Sequence, residues 1–337
     1  MKNPLGSLVP VALILASTAG SVQAQVGEGP FVAALRLVQR FGTTEAADPR
    51  NDQKTKGALF KALGKDGTLT SSGVQGLIDP STFSKLAGTD FRLDPIEVRR
   101  ALEAEIPESR RRLLPRVAEH AALLTTSFDM IDPSHREAGR ELVEWIVKNH
   151  KPGQPLHVTV ICTGNSRRSI LGSTMGNIAA AYSGFPEIQF HSGGTAPSAF
   201  NPRTITALEE AGIEVKPTGE QAPRGEPQTA NPIYQIRWGQ PTTASGGPAL
   251  ETTECSKLYG DPTNPQAGFA ALMVCGEADD ACPYVKGASV RVSMPYLDPK
   301  IYDGGAYETL KYTERRDDMA RLMLMVMTQV RHRLARN

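Results

Sequence analysis

From residue 156 onward, short apolar segments alternate with segments of helical pattern, and this alternation is the strongest constraint on the fold. The four predicted strands cover residues 156–161, 188–191, 270–274 and 288–294. The predicted helices of this region cover residues 170–182, 202–212 and 307–334. Because helical crossovers join parallel strands, the pattern predicts an α/β fold with a four-stranded parallel sheet between helical layers. In such a sheet, ligands bind beyond the carboxyl ends of the strands. Residues 219–253 are rich in Pro, Gly and Thr and are predicted to form a long loop.

The composition excludes several classes of protein. The 337 residues contain 37 Lys and Arg against 36 Asp and Glu, so the net charge is +1. A nucleic-acid-binding domain that neutralises phosphates needs a basic excess, which is missing here. The apolar content of 40% excludes disorder throughout. Four cysteines are too few for a disulfide scaffold of this length.

The first 24 residues have the layout of a secretory signal. Lys2 precedes an apolar stretch at residues 8–19, and the segment closes on Val22-Gln23-Ala24. This pattern predicts cleavage before Gln25 and an exported protein, periplasmic or secreted. The apolar stretch is short for a bilayer-spanning helix, which needs about 20 residues. An uncleaved membrane anchor is the alternative, and after cleavage we expect no membrane association.

Residues 25–107 are predicted to form a small helical region. Two stretches of it echo each other and resemble a degenerate pair of helix–loop–helix calcium units. In the second, Asp90, Leu93 and Glu97 fall on positions 5, 8 and 12 of the loop, but Leu86 and Gly88 stand where side-chain ligands are needed. We therefore expect a packing module and no metal site. Residues 108–150 are predicted to form a helical lead-in at the start of a second domain, which covers residues 108–337.

A cysteine stands directly after the first strand of the predicted sheet, and an arginine follows six residues later. Backbone N–H groups of the connecting loop, at a helix N-terminus, form a cradle for an oxyanion. Arg168 offers a planar fork for two oxyanion oxygens, and the same field stabilises a thiolate, which favours Cys162 as a nucleophile. Ser169 is placed to donate to the sulfur, and Asn165 to brace the loop. The predicted oxyanion-binding loop contains Thr163, Gly164, Asn165, Ser166, Arg167, Arg168 and Ser169.

Residues 156–330 resemble the superfamily of low-molecular-weight protein tyrosine phosphatases and thioredoxin-coupled arsenate reductases. Besides the Cys-x5-Arg-Ser loop, the resemblance rests on Ser192-Gly-Gly-Thr195, on Asn201-Pro202 leading to Gly212-Ile213, and on Leu297-Asp298-Pro299. It implies a three-layer α/β fold of the low-molecular-weight phosphatase type. It also implies that Asp298 protonates the leaving oxygen, as a general acid does. Residues 106–149 extend the resemblance to a bacterial, arsenate-reductase-like subgroup.

Two further cysteines bear on the choice between the two activities. Cys275 ends the third predicted strand, and Cys282 follows seven residues later, in the spacing of the arsenate reductases. The resemblance implies that Cys162 attacks arsenate, that Cys275 then attacks Cys162 and releases arsenite, and that Cys282 resolves the disulfide. The six residues between these two cysteines are predicted to form a mobile loop. A structural Cys275–Cys282 disulfide is the alternative, and Cys255 matches no redox role.

The sequence thus predicts an oxyanion enzyme that acts on arsenate or a phosphate ester without a bound cofactor or metal. The leading hypothesis is an arsenate reductase that uses an external thiol reductant such as thioredoxin. The second is a phosphatase with a phosphocysteine intermediate, and the third is a non-enzymatic oxyanion-binding module. Export weighs against the first, because thioredoxin recycling is normally cytosolic. We also expect Arg167 to add positive charge beside the oxyanion, and residues 219–253 to reshape the rim of the site.

Overall fold

The structure is a computed structural model that describes residues 29–223, 230–240, 249–281 and 283–335. The predicted signal segment and Cys282 lie outside the described residues. Within these ranges, no helix combines the length and the apolar character that crossing a bilayer requires.

The N-terminal residues form a helical module with an apolar core of its own. Leu37, Leu59 and Phe83 are fully buried at its centre. A Pro occupies the first turn of three of its helices, where the missing N–H costs nothing. The elements of this module are α1 (Pro30–Phe41), a 3-10 turn (Pro49–Asn51), α2 (Asp52–Ala62), β1 (Leu69–Thr70), α3 (Pro80–Ala87), β2 (Arg92–Leu93) and α4 (Pro95–Ala104).

Two loops of the module pair through β1 and β2, with Leu69 opposite Leu93. The carboxylates of the second loop serve the local backbone. Asp90 accepts a hydrogen bond from the Arg92 N–H at 3.1 Å, and Glu97 completes a capping box at the start of α4. In the part of the chain that the structure describes, no group of three His, Cys, Asp or Glu side chains could hold a metal ion.

Three helices connect the module to the α/β body, and they pack against that body. They are α5 (Glu108–Arg111), α6 (Pro115–Leu124) and α7 (Pro133–Asn149), with a 3-10 turn at Phe128–Met130. Asp132 caps α7 by accepting a hydrogen bond from the Ser134 N–H at 2.8 Å. Leu142 and Ile146, four residues apart on α7, are fully buried in the core of the body.

The α/β body confirms the predicted fold class. Its elements are β3 (Leu156–Cys162), α8 (Arg168–Ser183), β4 (Ile188–Gly194), α9 (Pro202–Glu210), β5 (Glu214–Gln221), β6 (Pro232–Arg237), β7 (Glu251–Glu254), β8 (Phe269–Met273), α10 (Gly276–Ala281), β9 (Ala288–Ser293), a 3-10 turn (Pro299–Tyr302) and α11 (Glu308–Leu334). Four parallel strands in the order β4–β3–β8–β9 form the central sheet, and helices flank it.

The strand order places a crevice at the end of β3. The chain leaves β3 for β4 on one side and later returns to β8 on the other, so neighbouring connections run in opposite directions there. Cys162 pairs with Gly194 and Ile161 pairs with Met273, which brings the carboxyl ends of three strands together. A switch point of this kind is where open α/β sheets bind ligands.

Two segments predicted as loops are regular structure. Residues 214–254 contain a three-stranded antiparallel sheet of β5, β6 and β7, interrupted by residues 224–229 and 241–248, which lie outside the described ranges. Its strands are largely polar, so they lack the apolar run that identified the central strands. Ile236 on β6 and Trp238, which follows the strand, are nevertheless buried in the core of the body. Arg237 on β6 donates a cross-strand hydrogen bond to Glu251 on β7 at 3.0 Å.

The other corrected segment follows Cys275, where residues 276–281 form α10 instead of a mobile loop. The acidic residues Glu277 and Asp279 lie in its first turn, where they complement the helix dipole. Asp279 also accepts hydrogen bonds from Arg291 and from Ser293, the last residue of β9, both at 2.5 Å.

Candidate active site

The predicted nucleophile ends β3 at the crevice. Cys162 is 3% exposed, and its Sγ lies 3.1 Å from the Ser169 Oγ in the first turn of α8. The Ser169 oxygen accepts a hydrogen bond from Asn165 Nδ2 at 2.9 Å, which leaves its own hydrogen directed to the sulfur. A hydroxyl donor at this distance stabilises a thiolate.

The carbonyl groups of the loop are held from outside. The carbonyls of Cys162 and Thr163 accept hydrogen bonds from the N–H groups of Thr195 and Ala196, at 3.1 and 2.9 Å. The Ser166 carbonyl accepts a bond from the Asn201 N–H at 3.2 Å. In a trans peptide the next N–H points opposite to the carbonyl, so these contacts turn N–H groups toward the interior of the loop. That arrangement is an anion-binding nest.

Asn165 is the central brace of the loop. Its φ is +42°, in the left-handed region that Asn tolerates better than other residues with a Cβ. Oδ1 accepts a hydrogen bond from the Lys257 N–H at 2.8 Å, which fixes the orientation of the amide. Nδ2 then donates to both Ser169 and Ser192, each at 2.9 Å. A Cβ on Gly194 would lie 2.6 Å from the Thr163 carbonyl oxygen, so the close approach of β4 requires a glycine.

A buried carboxyl group ends this hydrogen-bond chain. Glu254, the last residue of β7, is 2% exposed, and its Oε2 accepts a hydrogen bond from Ser192 Oγ at 2.7 Å. Burial raises the pKa of Glu254, while Lys257 and the hydroxyls of Ser192 and Ser173 oppose the shift. The chain of contacts therefore runs from Glu254 through Ser192, Asn165 and Ser169 to Cys162.

Arg168 and Asp298 are brought together, although they are 130 residues apart. The guanidinium donates to Asp298 Oδ2 at 2.8 Å and to the Tyr296 carbonyl at 2.9 Å. Its Nε is buried and has no hydrogen-bond partner among the described residues. Asp298 also accepts a bond from the Lys300 N–H at 3.0 Å. An arginine that holds a carboxylate beside the nucleophile loop can exchange that carboxylate for two oxygens of a tetrahedral oxyanion.

Arg167 does not direct its charge at the oxyanion position as expected. Its Nε donates to the Tyr312 Oη at 2.6 Å, and its Nη2 donates to Asp303 Oδ2 at 3.1 Å. One reason is local, since Arg167 is the N-cap of α8, with φ −134°, whereas Arg168 is the first helical residue. The other is tertiary, since Tyr312 and Asp303 bind the Arg167 guanidinium. The two neighbouring side chains therefore reach different parts of the segment after β9.

Cys275 lies beside the loop, at the point where β8 ends. It is fully buried, and its Sγ is 3.4 Å from the Thr163 Oγ1. Thr163 also donates to Glu277 Oε2 at 3.3 Å, and that carboxylate lies 3.7 Å from Arg168 Nη2. The predicted third cysteine, Cys282, is outside the described residues. Cys255 is half-buried, and burial raises the pKa of its thiol, which suits an inert residue.

Sequence reasoning missed several residues that hold the site. Glu254, Ser256 and Lys257 directly follow residues 219–253, the segment expected at the rim, and no role was predicted for them. Ser256 Oγ donates to the Gly164 carbonyl at 2.8 Å. Asp303 and Tyr312 carried no signal, because an acidic turn residue and a helix aromatic are common at surfaces and in cores. The one available hint for Glu254 was an acidic residue directly after Thr252 and Thr253, at the end of a segment rich in Thr.

Residues 157–228 match the family described as low molecular weight phosphotyrosine protein phosphatase. The matched stretch contains β3, the nucleophile loop and Ser192, so it covers the first half of the site. No curated protein matches the chain significantly.

Proposed function

We propose that this chain, whose α/β body belongs to the low-molecular-weight protein tyrosine phosphatase superfamily of enzymes, hydrolyses phosphate monoesters through a phosphocysteine at Cys162. The observation that carries the proposal is the contact of Arg168 with Asp298 at the end of β3, because it unites nucleophile loop, anion fork and acid. Each of the three is required for ester cleavage, and all three lie within the described residues.

In the first step, the Cys162 thiolate attacks phosphorus while the ester P–O bond breaks. Inward N–H groups and Arg168 hold the oxyanion oxygens, and protonated Asp298 gives its proton to the leaving alcohol oxygen. In the second step, water attacks phosphorus, the Asp298 carboxylate takes a water proton, and the P–S bond breaks. Inorganic phosphate and the Cys162 thiolate are the products. Ser169 stabilises the sulfur as attacking and as leaving group.

The surface beside Asp298 favours an ester with an apolar leaving group. Leu297 is 71% exposed and Ile301 is 70% exposed, and they flank the acid on either side. Large apolar side chains exposed next to polar catalytic groups are typical of ligand contacts. We propose aryl phosphates as the substrate class. We also propose that the protein acts after export, as the signal segment predicts.

Arsenate reduction is the second candidate, and the position of Cys275 favours it. A buried thiol 3.4 Å from Thr163 Oγ1 stands next to the nucleophile loop, where it could attack an oxidised Cys162. In that reaction, Cys162 forms a thiol-arsenate adduct through an S–As bond. Cys275 attacks the Cys162 sulfur, so that an S–S bond forms, the S–As bond breaks and the arsenic leaves reduced as arsenite. Cys282 then attacks Cys275, forms the Cys275–Cys282 disulfide and releases the Cys162 thiolate. A thioredoxin-like thiol would then return the Cys275–Cys282 disulfide to the reduced state.

The test is a parallel assay of the purified chain with an aryl phosphate and with arsenate plus a thioredoxin system. We expect aryl phosphate hydrolysis that Cys162→Ser abolishes and that Cys282→Ala leaves intact, because the phosphocysteine route uses one thiol. Cys255→Ser is the matched control for loss of a thiol. Turnover that survives in Cys162→Ser would contradict the mechanism. Arsenate turnover that stops after one cycle in Cys282→Ala, without any phosphatase activity in the wild type, would establish the reductase instead.

A further inference from the structure

The segment that carries Asp298 is attached to the nucleophile loop at two separate points. Asp298, at its start, contacts Arg168, and Asp303, at its end, contacts Arg167. The 3-10 turn Pro299–Tyr302 lies between the two carboxylates. We call residues 298–303 the acid segment. Adjacent arginines of one loop therefore bind the two ends of the acid segment.

The second attachment is centred on three side chains, and Arg203 of α9 lies 3.7 Å from Asp303 Oδ1 beside them. Arg167 donates to Asp303 Oδ2 at 3.1 Å and to the Tyr312 Oη at 2.6 Å, and Tyr312 donates to Asp303 Oδ1 at 2.8 Å. Tyr312 is 1% exposed, in the first turns of α11, and burial raises its pKa to about 12, so the hydroxyl stays a donor. Both carboxylate oxygens of Asp303 are thus occupied by partners from elements that the core holds in place.

The first attachment cannot persist during the proposed reaction. Arg168 Nη2 bonds Asp298, and the same fork is needed by the oxyanion. When the fork turns to substrate, Asp298 loses the ion pair that holds it and keeps only the Lys300 N–H contact within its own segment. A general acid must nevertheless stay within hydrogen-bond reach of the leaving oxygen. The remaining attachment of the acid segment to the loop is the one at Arg167.

We propose that Arg167, with Asp303 and Tyr312, is a positioning residue that keeps Asp298 over the nucleophile loop after Arg168 has turned to the substrate. The inference rests on the proposed phosphatase activity and deepens it. Arg167 acts through Asp303 and touches no reacting atom. Its effect is therefore confined to protonation of the leaving group, whereas loss of an oxyanion contact would affect every substrate.

The test is the dependence of kcat/KM on the leaving group in Arg167→Met. An acidic phenol, such as 2,4-dinitrophenol, leaves without a proton, whereas phenol requires one. We expect kcat/KM for phenyl phosphate to fall about 10- to 100-fold, which is part of the contribution of about 100-fold or more that a general acid supplies, and for dinitrophenyl phosphate by about threefold or less. Asp298→Asn should give the same pattern, and the double variant should lose little more than either single variant.

Two variants separate positioning from damage to the loop. Arg167→Lys keeps the charge and one bond, so it should restore part of the phenyl phosphate activity. Arg40→Met is the matched control: Arg40 donates two bonds to Glu105 in the N-terminal module, at 3.1 and 2.7 Å, away from the site. We expect that control to keep the wild-type ratio between the two substrates.

A measurement without turnover keeps this inference separate from the proposed function. In Cys162→Ser protein with saturating inorganic phosphate, amide hydrogen exchange of residues 300–305 should stay slow with Arg167 present and accelerate in Arg167→Met. Equal losses for both phenols, or an unchanged exchange rate, would overturn the positioning role. If the wild type hydrolyses neither ester, the proposed function fails, and the exchange result alone decides whether Arg167 holds the acid segment.

Discussion

At the scale of single residues, the side chains of the site are oriented by a short chain of hydrogen bonds centred on Asn165. Asn165 has two amide hydrogens, and both are used, one for the serine next to the nucleophile and one for the serine next to Glu254. Because the Lys257 N–H occupies its oxygen, the amide cannot turn without losing all three contacts. The orientation of the Ser169 hydroxyl toward Cys162 therefore depends on groups that lie up to two contacts away.

Glu254→Gln should make the free energy of unfolding less sensitive to rising pH. A free glutamate ionises near 4.5, whereas burial raises the pKa of Glu254 in the folded state, so the folded chain binds the extra proton. Stability is therefore lost as the pH rises above 4.5 toward the raised pKa. Gln keeps the acceptor for Ser192 and has no charge, so the variant should gain stability relative to the wild type as the pH rises above 4.5. Urea unfolding of both proteins at an acidic and at a neutral pH measures the difference, and a constant difference would contradict the prediction.

Sequence indicated which residues meet at this site better than it indicated how they are oriented. The spacing from Cys162 to Arg168 placed both on one loop, and the family resemblance singled out Asp298, which contacts Arg168 in the structure. The direction of Arg167 was not predictable, because it follows from being the cap of α8 and from two partners more than 130 residues away. Charge at a loop can be counted from sequence, but the direction of a guanidinium is decided by tertiary contacts.

At the scale of elements, the antiparallel sheet of β5, β6 and β7 supports the nucleophile loop through the residues that follow its last strand. Its last strand, β7, ends at Glu254, and the residues that follow bond the loop through Ser256 Oγ and the Lys257 N–H. The central strands were predictable because burial on both faces requires continuous apolar runs. The strands of the small sheet are half-exposed, and their Pro, Gly and Thr residues match turns as well as edges, so sequence could not separate the two.

Asn231→Ala should loosen this support. Asn231 is fully buried, accepts a bond from the Ser256 N–H at 3.0 Å, and donates to the Ser256 carbonyl at 2.7 Å. Its loss leaves buried backbone groups unpaired, which costs about 2 kcal/mol. Because Ser256 holds Gly164, we also expect kcat/KM to fall.

Thr218→Ala is the control for that variant. Thr218 belongs to the same sheet, where its exposed hydroxyl donates to the Ile233 carbonyl at 3.0 Å. We expect it to change stability by about 0.5 kcal/mol or less and to leave kcat/KM unchanged. Chemical denaturation and steady-state kinetics measure both effects. Equal losses in the two variants would show that the sheet acts as a whole and that Asn231 has no special part.

At the scale of the whole molecule, the N-terminal module is attached through polar contacts to the helices that connect it to the α/β body. Arg36 on α1 donates to the Ala122 carbonyl of α6 at 2.8 Å. Lys56 on α2 lies between two carboxylates, Asp52 at 2.9 Å and Asp129, in the turn between α6 and α7, at 2.5 Å. The side chain of Asp52 is 8% exposed, so this cation offsets charge that water does not reach.

Lys56→Met should detach the module most at neutral pH. Removing the cation leaves two carboxylates close together, which should cost about 1–3 kcal/mol. Their pKa values should then rise in the folded state, so stability relative to the wild type should recover as the pH falls and they gain protons. Urea unfolding at pH 7 and pH 5 measures this. Lys54→Met, which removes an exposed pair with Glu45, is the control and should have little effect. A loss that is equal at both pH values would contradict the role assigned to Lys56.

The two arginines lie far from their partners in sequence, which bears on the order in which the site is assembled during synthesis. The carboxylates that bind Arg167 and Arg168 are translated 136 and 130 codons after them. A nascent chain can complete β3, α8 and β4 long before that, with its thiol already in place but without acid or counter-charge. Both ends of the acid segment can therefore join the nucleophile loop only after residues 298–303 have been translated.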